Sequence, residues 1–402
     1  MQNAQQISQD IYWVGGNDRR LALFENLFPI PQGVSYNSYL IIDEKITLVD
    51  TVDQAISRQF IENITYLLNG RSIDYLIVNH MEPDHCADIE ELARRYPEMK
   101  IVGNKKTFQM IEQFYTIDSP DRLYEVKEKD ELCIGTHTLK FYFAPMVHWP
   151  EVMVTFEMTK GILFSADAFG SFGALSGNLF SDETDFDEIY LDEARRYYTN
   201  IVGKYGVQVQ NVLKKLGDLK INMICSLHGP IWRENLSYIV DKYQHWSSYK
   251  PEKKGVVLAY ASMYGNTENV MSLLAAKLSE RGISDMRMFD VSKTHPSYII
   301  SDIFKYSNIV LASPTYNAGL YYMMEALLRE MEGLNIQKRG ISLIGNGSWA
   351  PVAVKVMKEH IEKLKNITLI GEPFEIRSAL KKDQIPELDR LADAIAASVK
   401  GE

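Results

Sequence analysis

Residues 76–88 read LIVNHMEPDHCAD, an apolar strand pattern that breaks off in two histidines, one glutamate and two aspartates. His80, Glu82, Asp84 and His85 crowd one short turn at the end of a strand that reads as buried. Carboxylates are costly to bury there unless they are paired or bound to metal. Three other stretches share the design, a strand pattern ending on a potential ligand: 141-FYFAPMVH-148, 162-ILFSAD-167 and 222-NMICSLH-228. A lone histidine after a strand is usually just a satisfied polar residue; the clustering is what points to metal. Together the stretches offer four imidazoles (His80, His85, His148, His228) and three carboxylates (Glu82, Asp84, Asp167). That is too many for one ion and suits two, bridged by a carboxylate. His137 and His245 lack such a setting and read as structural.

Around these segments the chain is ordinary. Its 402 residues leave room for two or three domains. Apolar residues make up 46% and charged residues 24%, a globular composition. A net charge of −10 argues against nonspecific nucleic-acid binding, which needs basic surface. No apolar run approaches a membrane span, and the N-terminal MQNAQQISQDIYW does not read as a secretory signal. Three cysteines, Cys86, Cys133 and Cys225, show no CxxC spacing, so a reducing cytoplasm is the expected setting.

The polar stretch 247-SSYKPEKKG-255 separates two halves, and domains are expected over 1–250 and 251–402. Before it, strand patterns follow one another closely, as in 37-NSYLIID-43 and 46-ITLVD-50 or 153-MVTFEMT-159 and 161-GILFSAD-167. Such spacing suits tight antiparallel connections. Helical patterns over 53–68 and 187–205 complete an α/β layered domain. Beyond the linker, five strands (255–260, 285–291, 308–313, 339–345 and 367–371) alternate with helices, ending in 383–399. This rhythm predicts a doubly wound parallel five-stranded sheet.

The first of those strands runs into 261-ASMYGNTENV-270, a phosphate loop by mechanism. Ser262 and Thr267 offer hydroxyls, Gly265 lets the backbone approach, and a helix N-terminus follows. The loop has neither the lysine of a nucleoside-triphosphate loop nor GxGxxG, so a neutral phosphate monoester site fits. Two later loops, 313-SPTYNAG-319 and 345-GNGSWAP-351, place Tyr316 and Trp349 at the carboxyl ends of strands, where such sheets bind ligands.

The metal segments resemble the metallo-β-lactamase superfold over about residues 1–245, with its HxHxDH signature followed by isolated His, Asp and His. Here the signature reads 80-HMEPDH-85. Carboxylate in place of the second imidazole hardens the site, favouring iron or manganese over zinc. This HxExDH form resembles that of flavodiiron proteins. The three later loops resemble flavodoxin over residues 254–402, and the two halves in this order are the flavodiiron architecture.

The resemblance implies an N-terminal αββα sandwich and a C-terminal flavodoxin-like domain. It assigns His80, Glu82 and His148 to one iron, Asp84, His85 and His228 to the other, and Asp167 to the bridge. His85 is not a ligand in every family member. For FMN it implies Ser262, Met263, Tyr264, Gly265, Asn266 and Thr267 in the phosphate loop, with Pro314, Thr315, Tyr316, Asn317, Asn346, Gly347 and Trp349 about the ring. It further implies reduction of O2 to water or of NO to N2O, with electrons from a rubredoxin-like or deazaflavin donor. A head-to-tail homodimer, or a dimer of such dimers, is expected. Cys86 and Ala87 depart from the usual small pair, which makes Cys86 an expected oxidation-sensitive thiol. Tyr197 or Tyr198 either reaches the metal pocket or packs the core. The competing readings are a zinc hydrolase of the lactamase superfold with a flavodoxin domain, and a non-enzymatic electron carrier; filled ligand positions and Glu82 oppose them.

Overall fold

The computed structural model describes residues 2–117 and 120–401. The chain forms two units, one of residues up to Tyr198 with Tyr205–Gln244, the other of Thr199–Lys204 with His245–Glu402.

The first unit is built on two sheets. One has seven strands in the order Gln5–Ser8, Ile11–Trp13, Tyr39–Ile41, Thr47–Val49, Tyr75–Ile77, Lys100–Gly103 and Leu123–Glu125. Its early pairs are antiparallel, and from Thr47–Val49 onward they are parallel. The other runs Glu131–Cys133, Thr138–Phe143, Met153–Glu157, Ile162–Phe164 and Met223–Cys225, antiparallel except for its last pair. Every residue of Tyr39–Ile41, Thr47–Val49, Met153–Glu157 and Ile162–Phe164 is buried. Strands buried on both faces need cover on both sides. Between the sheets, the Tyr39 and Phe164 rings meet at 5.3 Å, and Thr155 Oγ1 donates to Asn79 Oδ1 at 2.7 Å. Helices cover the outside: Ser57–Leu68 buries Phe60, Ile64 and Leu68, and Gly206–Leu216 buries Val209, Val212 and Leu216. This is the expected αββα sandwich.

The pattern over 187–205 is not one helix. It divides into Phe186–Ile189 and Leu191–Tyr197, joined at the buried Tyr190, and then loosens into a π turn over Tyr198–Val202. Periodicity alone could not register these breaks, because every piece keeps helical spacing.

In the second unit the strands Met286–Asp290, Lys253–Tyr260, Tyr306–Tyr316, Gly340–Asn346 and Thr368–Leu369 lie side by side and parallel. In chain order this is 2-1-3-4-5, a doubly wound arrangement. The fifth strand differs from the expected 367–371. Thr368–Leu369 pairs with the start of Gly340–Asn346, and Phe374–Ile376 pairs with its end. Between them Gly371 takes φ +71°, a left-handed turn that interrupts the ladder. The helices Asn266–Glu280 and Ile385–Lys400 close one face of the core over Leu258, Val310 and Ile344.

Candidate metal centre and flavin site

The strand Tyr75–Ile77 delivers His80 to its carboxyl end, and Asp50 fixes the exit. The Asp50 carboxylate accepts from Asn79 N (2.7 Å), Asn79 Nδ2 (2.9 Å) and His80 N (3.2 Å). Pro83 then starts the four-residue helix Pro83–Cys86, which turns Asp84 and His85 inward, both buried. The other three stretches bring His148, Asp167 and His228 to the same place. Two groups result, His80 with Glu82, His148 and Asp167, and Asp84 with His85 and His228; within each, one ligand atom per residue lies within 4.8 Å of the others. All seven expected residues therefore converge. Asp167 stands between the groups: Oδ2 is 3.2 Å from His148 Nε2 and 3.5 Å from His80 Nε2, while Oδ1 is 3.1 Å from His85 Nε2.

The donor set fits cations. His80 Nδ1 meets Glu151 Oε1 at 2.8 Å, an oxygen that also accepts from Met81 N, so Nδ1 carries the proton. The bare Nε2 of His80 then faces Glu82 Oε2 at 3.3 Å. His228 Nδ1 likewise donates to the Ser35 carbonyl at 2.8 Å, and its Nε2 lies 3.0 Å from His85 Nε2. Acceptors thus point at acceptors. Both Asp84 oxygens and Asp167 Oδ1 are buried without a hydrogen-bond partner. A positive charge between them resolves all of these conflicts.

Protons and a cation compete for the same field, so rings that are bare at Nε2 as metal ligands take up protons when no cation is bound. Burial opposes protonation of His148, yet the Asp167 and Glu82 carboxylates outweigh it and lift its pKa to about 9. His80 is likewise raised against burial by Asp167, Glu151 and Glu82. Burial works against ionising Asp167, but the facing histidines hold its carboxyl well below the usual range.

Sequence reading missed three contributors. Glu151, in the loop after His148, supports His80; its only signal is a carboxylate close in sequence to a ligand. Ser35 acts through its carbonyl, which no side-chain pattern reveals. Glu25 sits at the tip of the hairpin Leu23–Phe24/Phe28–Pro29 with φ +50°. Although the residue as a whole is exposed, burial of its carboxyl, then Glu82, push its pKa up to about 8. The same hairpin lays Phe24 edge-on to His228 at 5.4 Å. Of the two tyrosines, Tyr197 belongs to the pocket wall: its ring is 5.3 Å from His228, and its buried hydroxyl has no partner. Tyr198 packs on Tyr243. His137 is structural as expected, its Nδ1 3.0 Å from Glu157. Cys86 departs from expectation. It is buried, its Sγ donates to the Met81 carbonyl at 3.2 Å, and burial pushes its thiol up to about 12, so the reactive thiolate is suppressed.

In the second unit a cavity of about 410 Å³ opens at the carboxyl ends of the strands. Met263, Tyr264, Asn266, Pro314, Thr315, Asn317, Asn346, Gly347 and Trp349 line it. Ser262, Gly265, Thr267 and Tyr316 are not in its wall but build it. Ser262 Oγ accepts from Gly265 N (3.1 Å) and Glu268 N (3.3 Å). Gly265, at φ +85°, starts the helix Asn266–Glu280 with open space where a Cβ would stand. Thr267 Oγ1 accepts from Asn346 Nδ2 at 3.2 Å, and Tyr316 packs on Tyr322. Ser378, from the loop after Phe374–Ile376, also lines the cavity and was not foreseen. A helix N-terminus free of basic side chains in its first turn, hydroxyl groups and an aromatic-edged cavity of ligand size fit a flavin monophosphate.

Fold and sites together define a two-domain metalloflavoprotein. Residues 34–229 match the ODP family beta lactamase and residues 258–387 match flavodoxin. An anaerobic nitric oxide reductase flavorubredoxin of Klebsiella pneumoniae is 30% identical over 391 residues, 96% of this chain and 78% of that protein. An uncharacterized protein of Methanocaldococcus jannaschii is 32% identical over 96% of this chain and 98% of its own length. Among solved structures, rubredoxin oxygen:oxidoreductase from Desulfovibrio gigas superposes with a TM-score of 0.93 at 28% identity, covering 99% of each chain. A flavo di-iron protein variant from Thermotoga maritima gives 0.90 at 26% identity, covering 99% of this chain and 98% of that one. The chain belongs to the flavodiiron family of oxidoreductases, with FMN and a two-iron centre as its cofactors.

Proposed function

We propose that this oxidoreductase reduces a diatomic oxidant, O2 to two waters or two NO to N2O and water. His80, Glu82 and His148 would hold one iron and Asp84, His85 and His228 the other, with Asp167 serving both. The observation that carries this reading is the division of the Asp167 oxygens between two buried groups of otherwise unmatched acceptors. Bound in these sites, two irons and FMN supply the four electrons that O2 requires, or the two that a pair of NO requires.

The chain's own residues set the conditions. Glu151 and the Ser35 carbonyl hold the His80 and His228 rings in one tautomer, so each presents Nε2 to the pocket. Phe24 and Phe172 wall the pocket against water; Phe172 stands 5.1 Å from Tyr197. Tyr197 is positioned to give its free hydroxyl proton as a hydrogen bond to an oxygen or nitrogen atom held there. For the flavin, Ser262, Met263, Tyr264, Gly265, Asn266 and Thr267 form the phosphate side and the two later loops the ring side.

The names of two relatives support the substrate classes: that of the Desulfovibrio protein gives rubredoxin and oxygen, that of the Klebsiella protein nitric oxide. A rubredoxin-like donor is the partner most in keeping with them, and a deazaflavin is the alternative. The protein acts in the cytoplasm as a head-to-tail homodimer, with domains over 1–250 and 251–402. No helix among the described residues is long and apolar enough to cross a membrane. The test is gas consumption by protein purified without oxygen and reduced through a rubredoxin. Uptake of O2 or NO that stops when the reductant is exhausted supports the assignment. No uptake of either gas, with hydrolysis of an ester or amide instead, overturns it.

A further inference from the structure

The helix Gly206–Leu216 turns Val209, Val212 and Leu216 inward, where they meet Val154 and Leu163 of the second sheet. Their packing leaves a small apolar cavity, partly open towards the surface, with about 20 Å³ of room for the centre of a water-sized molecule. Roughly 10–15 Å³ of such room holds one water, so the space admits a single small guest. The rest of its wall comes from the roots of two ligand-bearing loops, Val147, which precedes His148, and Ala168 with Phe169, which follow Asp167.

The polar groups of the wall are already engaged. Ser165 Oγ donates to the Ala168 carbonyl at 2.7 Å, and Tyr243 OH accepts from Phe169 N at 2.6 Å. A water needs two to four hydrogen-bond partners, and apolar cavities that offer none stay dry while accepting apolar guests such as xenon. O2 and NO are small, weakly hydrated and apolar enough to gain by entering.

We propose that this cavity is a holding site for the gaseous substrate, from which O2 or NO passes between the His148 and Asp167 loops to the metal centre. The inference rests on the reading that the protein reduces a gas. It locates the reservoir behind the second sheet, on the side of the metal centre that Val147 and Ala168 define.

Xenon pressurisation of holoprotein crystals tests it directly. Xenon bounded by Val154, Leu163 and Val212 is the expected result, and its absence there overturns the proposal. Val212→Phe fills the space at some loss of stability: kcat/KM for the gas should fall about ten-fold, with kcat at saturating gas and the iron and flavin contents unchanged. An unchanged kcat/KM in a filled cavity also overturns it. Should the Phe variant not fold, Val212→Ala enlarges the cavity and must raise xenon occupancy; no rise counts against the proposal. Failure of the gas-reduction reading shows itself separately, because the wild type then consumes neither gas wherever xenon binds.

Discussion

Glu151 Oε1 lies 2.8 Å from His80 Nδ1, both residues fully buried, and this contact decides which ring nitrogen His80 turns to the metal pocket. Glu151→Gln keeps the size but weakens the acceptor and removes the charge. Loss of such a supporting partner typically lowers metal affinity by about 10–100-fold. Competition with a ferrous chelator should show that loss at the position shared by His80, Glu82 and His148. Equal affinity in wild type and variant would mean that Glu151 does not orient the ring.

The two metal groups meet at Asp167, whose removal should therefore differ from the loss of any terminal ligand. Asp167→Ala is expected to strip both irons, whereas His228→Ala should leave one. Iron counts on gel-filtered protein decide the matter. Loss of only one iron from Asp167→Ala would show that its oxygens do not serve both positions.

Much of this centre was legible in the strand ends. Metal ligands must be side chains of a few types, and a cluster such as His80-x-Glu82-x-Asp84-His85 has no cheap alternative use beside a core strand. The supporting contacts were not legible for the opposite reason. Ser35 contributes a backbone carbonyl, and Glu25 arrives on a left-handed hairpin tip far from the ligands in sequence. The alternation of strands and helices beyond residue 254 foretold the parallel sheet, but not that Gly371 would divide its last strand. Helical spacing over 187–205 likewise hid the breaks at Tyr190 and Tyr198, because each piece keeps that spacing.

Thiol chemistry should separate the three cysteines. Cys133 is exposed, while Cys86 and Cys225 are buried with thiols raised by that burial. Under native conditions near neutral pH, iodoacetamide should label Cys133 and spare the other two until the protein is unfolded. Rapid native labelling of Cys86 would show that its loop opens.

Asp88 provides a pH signature of stability. Burial raises its carboxyl to about 6 from an ordinary 3.8, and Oδ2 has no partner. The unfolded chain therefore ionises first as pH rises. Between pH 4 and 6 the native state holds the extra proton, so this group's contribution to stability is present at low pH and is lost through that window. The loss is at most about 3 kcal/mol. Asp88→Asn should lack it, so that its stability relative to wild type, from urea unfolding at fixed metal content, rises from pH 4 to pH 7. Parallel pH curves would contradict the assignment.

Asn346 bridges two parts of the flavin cavity, with Nδ2 donating to Thr267 Oγ1 and to the Ser378 carbonyl. Asn346→Ala should weaken FMN binding about ten-fold or more by releasing the phosphate loop and the Ser378 loop together. Flavin fluorescence titration of deflavinated protein reads this. Unchanged affinity would place the cavity's rigidity elsewhere.

The most direct test of the whole account is the metal and flavin content of protein purified without oxygen, by elemental analysis and absorption spectroscopy. Two irons, one for each buried ligand group, together with one FMN per chain are the predicted result. Two zincs with no bound flavin would contradict it.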